Sequence, residues 1–313
     1  MTEVLLFGRR VGWADILRRP SAFKDSKLES VIFEENSNLT TLTAKTRTRG
    51  SFYATTYSGS LSDKYTKSEG AFSGCNIKSI TLPKSLKHIG PETFSKSGLQ
   101  TITFEDGTQL SDIGALSFAC CDLNSIEVPA SVNYIGGAAF AYCTSLASIS
   151  FQSTSNLSSL KYDIAPVNTS YVADYMLGAF SGCIALTSIT LPSSLTEIAK
   201  YSFYGCTGLK TIKFSENATL ATIGDYGFYD CPMLHTVDMS NCNQVTKIGA
   251  SAFKSSDEMR LFKIGTVVPP TCGSTPFGAV GNYSVLKVPD GAVTQYQSAS
   301  GWKAFASITG LNE

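Results

Sequence analysis

Apolar residues recur along this chain at a fixed long period. Ala-Phe and Xaa-Phe dipeptides put Phe72, Phe94, Phe118, Phe140, Phe180, Phe203, Phe228 and Phe253 in one register, with Phe23 before them and Phe277 after, mostly 22 to 25 residues apart. A period of that length marks stacked supersecondary units, none of which buries its apolar face alone. An apolar residue follows each phenylalanine by five or six positions, as Ile77 follows Phe72 and Leu146 follows Phe140. Three further on begins a short stretch rich in β-branched residues: Ile80 to Leu82, Ile102 to Phe104, Ile126 to Val128, Ile149 to Phe151, Ile189 to Leu191, Ile212 to Phe214 and Val237 to Met239. Its alternation has a period of two, which sends successive side chains to opposite faces and predicts a strand with one core face and one solvent face.

A second apolar pair follows, as in Leu86 and Ile89 or Leu195 and Ile198, usually ending in glycine, which permits a sharp turn. The phenylalanine then re-enters the core from a turn or short helical segment and closes one coil. The coils alternate in type. Leu82, Val128 and Leu191 are followed by Pro83, Pro129 and Pro192, whereas Phe33, Phe104, Phe151 and Phe214 lead into longer polar turns, a superperiod of about 46 residues.

The pattern LxxIxLPxxLxxIgxxAFxxCxxL, best seen from Leu186 to Leu209, closely resembles the BspA-like leucine-rich repeats of bacterial and protozoan surface proteins. The resemblance spans roughly residues 21–290. It implies an α/β-type repeat solenoid: a right-handed leucine-rich-repeat superhelix of about ten repeats, with short parallel strands, turns and short helical segments, capped at both ends. Residues 1–20, with Trp13, Ile16 and Leu17 among Arg9, Arg10, Arg18 and Arg19, are the expected N-terminal cap. Residues 291–313, with Tyr296, Trp302, Phe305 and Ile308, resemble the closing segment of bacterial members and are the expected C-terminal cap.

Two repeats carry insertions between the second apolar pair and the phenylalanine, near residues 43–70 and 159–178. They should emerge on one side, roughly 20 Å apart at the spacing of stacked strands. Tyr53, Tyr57 and Tyr65 in the first, and Tyr162, Tyr171 and Tyr175 in the second, lie among serines and threonines, the composition of adaptable binding loops. An array also tolerates plain surface insertions. Tyr201 and Tyr226, two residues before their phenylalanines, and Tyr204 and Tyr229, one after, should form two columns. Such columns serve stacking between repeats or an interface.

Composition narrows the function classes. Lys+Arg and Asp+Glu both number 25, so no net field gathers nucleic acid or anionic lipid. No apolar run approaches a membrane span, and Val4 to Phe7 is too short for a signal-peptide core, so neither membrane insertion nor a signal peptide is expected in this chain. Of nine cysteines, Cys75, Cys121, Cys143, Cys183, Cys206 and Cys231 sit three residues after their phenylalanine, which predicts a buried ladder of small apolar thiols. Cys120, Cys242 and Cys272 lie off it, and one of them could be a reactive thiol or enter an odd disulfide. His88 and His235 are far apart in sequence and read as surface residues, leaving no obvious base beside a nucleophile. The acidic residues Glu34, Glu35, Glu105, Asp106 and Glu216, on alternate repeats roughly 10 Å apart, read as a solvated stripe. The outward strand positions, from Ser79 and Thr81 to Thr236 and Asp238, form a sheet of hydroxyls with a few charges.

No enzyme, cofactor or metal site is therefore expected. The resemblance implies a cell-surface or secreted interaction module, adhering to extracellular-matrix or cell-surface proteins of a host or of neighbouring cells. The alternative is a glycan-binding or cell-envelope scaffolding or spacer module. No binding residue of the family carries over, because the matching positions are core positions.

Overall fold

Alternating apolar and polar residues become strands at the predicted positions. The computed structural model describes residues 3–7, 23, 26–33, 37, 39–42, 70–160, 178–278, 280 and 283–313. Within it, Ser79–Leu82, Thr101–Phe104, Ser125–Val128, Ser148–Phe151, Ser188–Leu191, Thr211–Phe214, Thr236–Met239, Leu261–Ile264 and Val285–Val288 are four-residue strands. Ile80 and Leu82 are buried while Ser79 and Thr81 are exposed, as the period of two requires. Successive strands pair in parallel and in register, Ile80 with Ile102 and Ile189 with Ile212. The second apolar pair ends in a two-residue strand, and these join into one nine-stranded parallel sheet from Thr41–Leu42 to Thr271–Cys272. The molecule is a parallel-strand β-solenoid of about nine coils.

The expected helical segments are absent from the described residues of the repeats, so the fold has more strand than an α/β class implies. Helix among the described residues is confined to the 3-10 turns Asp290–Ala292 and Trp302–Ala304 and the α-helix Val293–Ser298. The cause lies two residues either side of most of the phenylalanines. Glu92 and Lys96 flank Phe94 with φ of 57° and 58°, and Tyr201, Tyr226, Cys120 and Asp230 hold the same left-handed conformation. A left-handed residue every fourth position cannot continue a right-handed helix. Instead, amides project along the stack: Glu92 N–H donates to Ala115 O, Phe94 N–H to Ser117 O and Lys96 N–H to Ala119 O, at 2.7–2.9 Å. The same three amides repeat in most coils, and every one points towards the following coil.

The core is an unbroken stack of the ten register phenylalanines, Phe23 to Phe277, with neighbouring ring centroids 4.9–5.8 Å apart. Phe140 and Phe180 stack at 5.3 Å across the second insertion, which leaves the core continuous. At Gly249 a Cβ would stand 2.4 Å from the Asp225 nitrogen, so the close approach of coils requires glycine there. Residues past Asp290 add the strand Ser307–Gly310 to the long sheet, and Trp302 and Phe305 pack on Phe262 and Phe277.

The long-strand side is not one continuous surface. It divides into a four-stranded, a two-stranded and a six-stranded sheet, with breaks after Thr101–Phe104 and after Ser148–Phe151. Both breaks lie where a phenylalanine-ending strand precedes a proline-ending one, although at a third such junction Leu28–Phe33 stays paired with Ser79–Leu82 through Ser30 and Val31. In the opposite order the residue after the strand continues the ladder: Glu105 N–H donates to Leu82 O, Gln152 N–H to Val128 O and Ser215 N–H to Leu191 O. Pro129 and Pro192 occupy that position in the other order and have no N–H to give Phe104 or Phe151. Beyond Phe214 the alternation ends, because Met239 to Val245 again takes the longer turn.

Candidate functional site

Of the tyrosines singled out from sequence, Tyr53, Tyr57, Tyr65, Tyr162, Tyr171 and Tyr175 lie outside the described residues. The other four come together. Tyr201 stacks on Tyr226 at 5.1 Å and Tyr204 on Tyr229 at 5.4 Å, with interplanar angles of 10° and 4°. The two columns meet edge to face, at 6.1 Å between Tyr201 and Tyr204 and 5.5 Å between Tyr226 and Tyr229. The repeat geometry produces this. Tyr201 and Tyr226 are left-handed, so their side chains leave the outside of the turn rather than entering the core with the phenylalanines. All four rings are partly exposed. Burial, then Asp230 and Tyr229, push the Tyr204 hydroxyl above its ordinary range, so it stays a neutral donor. Tyr142 stands two coils earlier, against Gly182, where a Cβ would come within 2.8 Å of its ring. Exposed Ile184 and Met233, unusual among the large apolar residues here, leave the same group of turns.

The cysteine ladder is buried as expected, and it does more than fill space. Each thiol donates to the phenylalanine carbonyl of the preceding coil: Cys75 to Phe23, Cys121 to Phe94, Cys143 to Phe118, Cys183 to Phe140, Cys206 to Phe180 and Cys231 to Phe203, at 2.8–3.4 Å. Ser256 holds the ladder position in the coil of Phe253, and its buried hydroxyl finds no partner. A C–O bond is shorter than a C–S bond, and the serine falls short of the carbonyl. All nine cysteines are free. Burial pushes Cys242 and Cys272 up to about 12 and raises Cys120, the reverse of what activates a thiol.

Sequence reasoning placed His88 on the surface and missed its neighbours. Asp112 Oδ2 lies 2.5 Å from His88 Nδ1, and Ser111 Oγ lies 2.6 Å from that carboxylate and 3.4 Å from the same ring nitrogen. The signal was available, because His88 and Asp112 each precede the second-pair isoleucine of adjacent repeats. Serine and aspartate share one side of the ring, whereas nucleophilic catalysis needs the serine on the nitrogen opposite the carboxylate. His235 stands 3.9 Å from Glu258. Among the described residues no group of three potential metal ligands converges, and no helix is long and apolar enough to cross a membrane.

The hydroxyl face holds Thr81 and Thr103 at 2.8 Å from each other, and Asp238 pairs with Lys263 at 3.3 Å. Glu34 and Glu35 lie outside the described residues, and Glu105 accepts the Lys84 N–H at 2.9 Å.

Comparison with known proteins gives a consistent picture. The family model for the BspA type leucine rich repeat region matches six copies, over residues 66–164 and 174–291. No curated protein matches the chain. Among solved structures, a leucine rich cell surface protein from Faecalibacterium prausnitzii is 16% identical, covering 100% of this chain and 80% of its own, with a TM-score of 0.40. A leucine-rich repeat protein from Bacteroides ovatus is 18% identical, covering 98% and 84%, with a TM-score of 0.35. The pneumococcal vaccine antigen PcpA is 19% identical, covering 74% and 79%, with a TM-score of 0.34. The family model spans well over half of the chain, and the phenylalanines, cysteines and paired apolar positions it repeats are those of the core. The chain belongs to the BspA-type leucine-rich-repeat family.

Proposed function

We propose that this chain is a non-enzymatic, cell-surface or secreted interaction module that docks a protein partner on the outside of the phenylalanine turns between residues 178 and 233. The observation that carries this is the double tyrosine column. Elsewhere the same turn positions hold Glu92, Leu116, Ala138, Ser95, Ala119 and Ala141, so the array closes without aromatic rings there. Four tyrosines with outward edges, on a run of coils that also exposes Ile184 and Met233, give the amphipathic contact area that protein interfaces concentrate. Stacking covers one face of each ring. This favours contact through edges and hydroxyls, and disfavours a sugar lying flat on a ring. Adhesion to an extracellular-matrix or cell-surface protein is the form of this function that the family likeness supports.

The test is binding of the purified chain to immobilised extracellular-matrix and cell-surface proteins. Tyr204→Ala/Tyr229→Ala should weaken binding more than about tenfold with the unfolding midpoint little changed, as truncating an interface aromatic does. A second variant lacking residues 45–68 and 161–176 separates the insertions from the columns. Binding that survives the tyrosine variant but is lost with the insertions would move recognition to the loops. No binding to any protein would leave a scaffold or spacer.

A further inference from the structure

We infer a second recognition site, for neutral saccharides, at the two breaks in the long sheet. Two notches sit at the two breaks. The first, about 510 Å³, lies between the turn after Phe104 and the turn after Phe151, over the shorter turn of Pro129. The second, about 310 Å³, lies between the turns after Phe151 and Phe214, over that of Pro192. Their origin is in the sequence. A phenylalanine-type turn has two more residues than a proline-type turn before the second apolar pair, so each proline coil is a recess between two taller walls. At both notches the proline has no N–H to close the ladder onto the preceding phenylalanine carbonyl. Phe104 and Phe151 are accordingly only part-buried, whereas Leu82, Val128 and Leu191 at the same strand position are fully buried.

The chemistry of the first notch selects the ligand. Phe104 offers an apolar patch at its floor. Gln152 Oε1 is fixed at 2.9 Å by the Ala130 N–H, leaving its amide N–H groups for a ligand. Glu105 is fixed by the Lys84 N–H, and Asp106 and Asn156 complete the rim. Ser131 supplies an independent sign. Serines at its position in the two neighbouring proline turns both donate to the preceding coil, Ser85 to Leu39 O and Ser194 to Leu157 O, each at 2.8 Å. Ser131 Oγ is buried, lines the notch and has no partner. The proline turn of this notch thus lacks the bond to the preceding coil that its two counterparts make.

The notch therefore presents an aromatic patch ringed by amides and carboxylates, with no lysine or arginine in its lining. Carboxylates without a cation repel phosphate, sulfate and uronic acid groups and accept hydroxyl protons. An uncharged ligand with many hydroxyls and an apolar face fits all of these. The turn from Gln152 to Asn156 is the shared wall of both notches, so a short oligosaccharide bridging it would engage both, roughly 10 Å apart at two strand spacings.

The experiment is saturation-transfer NMR and calorimetry of the full chain with short neutral gluco-, galacto- and manno-oligosaccharides, and a sulfated oligosaccharide as the charged control. At least one neutral sugar should bind. Gln152→Ala and Asp106→Ala should each weaken it about tenfold, the loss of a good hydrogen bond. Ser131→Trp, which fills the recess, should abolish binding, and Tyr204→Ala/Tyr229→Ala should leave it unchanged. A fold check by unfolding midpoint accompanies each variant. The inference is overturned if no neutral sugar binds the intact chain, if the sulfated sugar is preferred, or if binding ignores the correctly folded notch variants. Because the tyrosine columns lie on another side of the coil, either site can fail alone.

Discussion

The ladder cysteine shows how much one atom decides. Its sulfur reaches a carbonyl that a serine oxygen misses, so Ser256→Cys should add about 1 kcal/mol of stability and Cys206→Ala should remove about 1–2 kcal/mol, both measured by denaturant midpoint. Burial also pushes Cys121 and Cys206 up to about 12 from an ordinary 9.0, and raises Cys143, Cys183 and Cys231 well above it. Below pH 9 folded and unfolded chains hold these protons equally, and the stability is fully present. Above it the unfolded chain releases them first, so stability falls through the window from 9 to 12, by about 1.4 kcal/mol per pH unit for each thiol. Midpoints taken from pH 8.5 upward should show this fall, and Cys206→Ala should make it shallower; a flat profile would contradict the buried ladder. Burial of these residues was legible from spacing alone. Their hydrogen bonds were not, because the acceptor lies one whole coil back and depends on bond length rather than residue class. His88 was hidden for the same reason, its partners coming from the next coil.

At the scale of the element, strands were legible and turns were not. Period-two alternation in Ile80 to Leu82 leaves a single way to bury both side chains. The phenylalanine segment has no such periodicity. Its form is set by left-handed residues such as Glu92 and Lys96, types with no special claim on that conformation, held there by amides bonded to the next coil. Lys96→Gly should relieve that strain and raise stability by up to about 1 kcal/mol despite glycine's entropy in the unfolded chain. Gly249→Ala should do the opposite and strongly, since its new methyl meets backbone, not a movable side chain. Proline is the informative element-breaker. Pro129→Ala restores the donor to Phe104 O, and its new amide should become protected from hydrogen exchange as the two sheets join. An amide that exchanges freely would show that something other than proline holds the strands apart.

For the whole molecule, each coil touches only its neighbours, so stability is close to a sum of coil and junction contributions. Phe180→Ala, in the middle of the ring stack, should cost about 3–5 kcal/mol and allow the two halves to unfold in separate steps, visible as a second transition in calorimetry. The one-way amides of the turn side have a further consequence. In Phe94 the N–H donates forward, and the carbonyl of that same peptide unit, on Thr93, accepts from Phe72 behind it. Peptide units therefore line up head to tail along the solenoid axis, in three columns, as they do inside an α-helix. Strands cancel their peptide moments, but these columns add theirs, each unit about 3.5 D. On the short-strand side the columns run the other way, Gly114 N–H donating back to Ile89 O and Gly136 N–H to Ile113 O, so the two sides of the solenoid carry opposed peptide dipoles along its length. At each end of the solenoid the turn side and the short-strand side should therefore favour neighbouring charges of opposite sign.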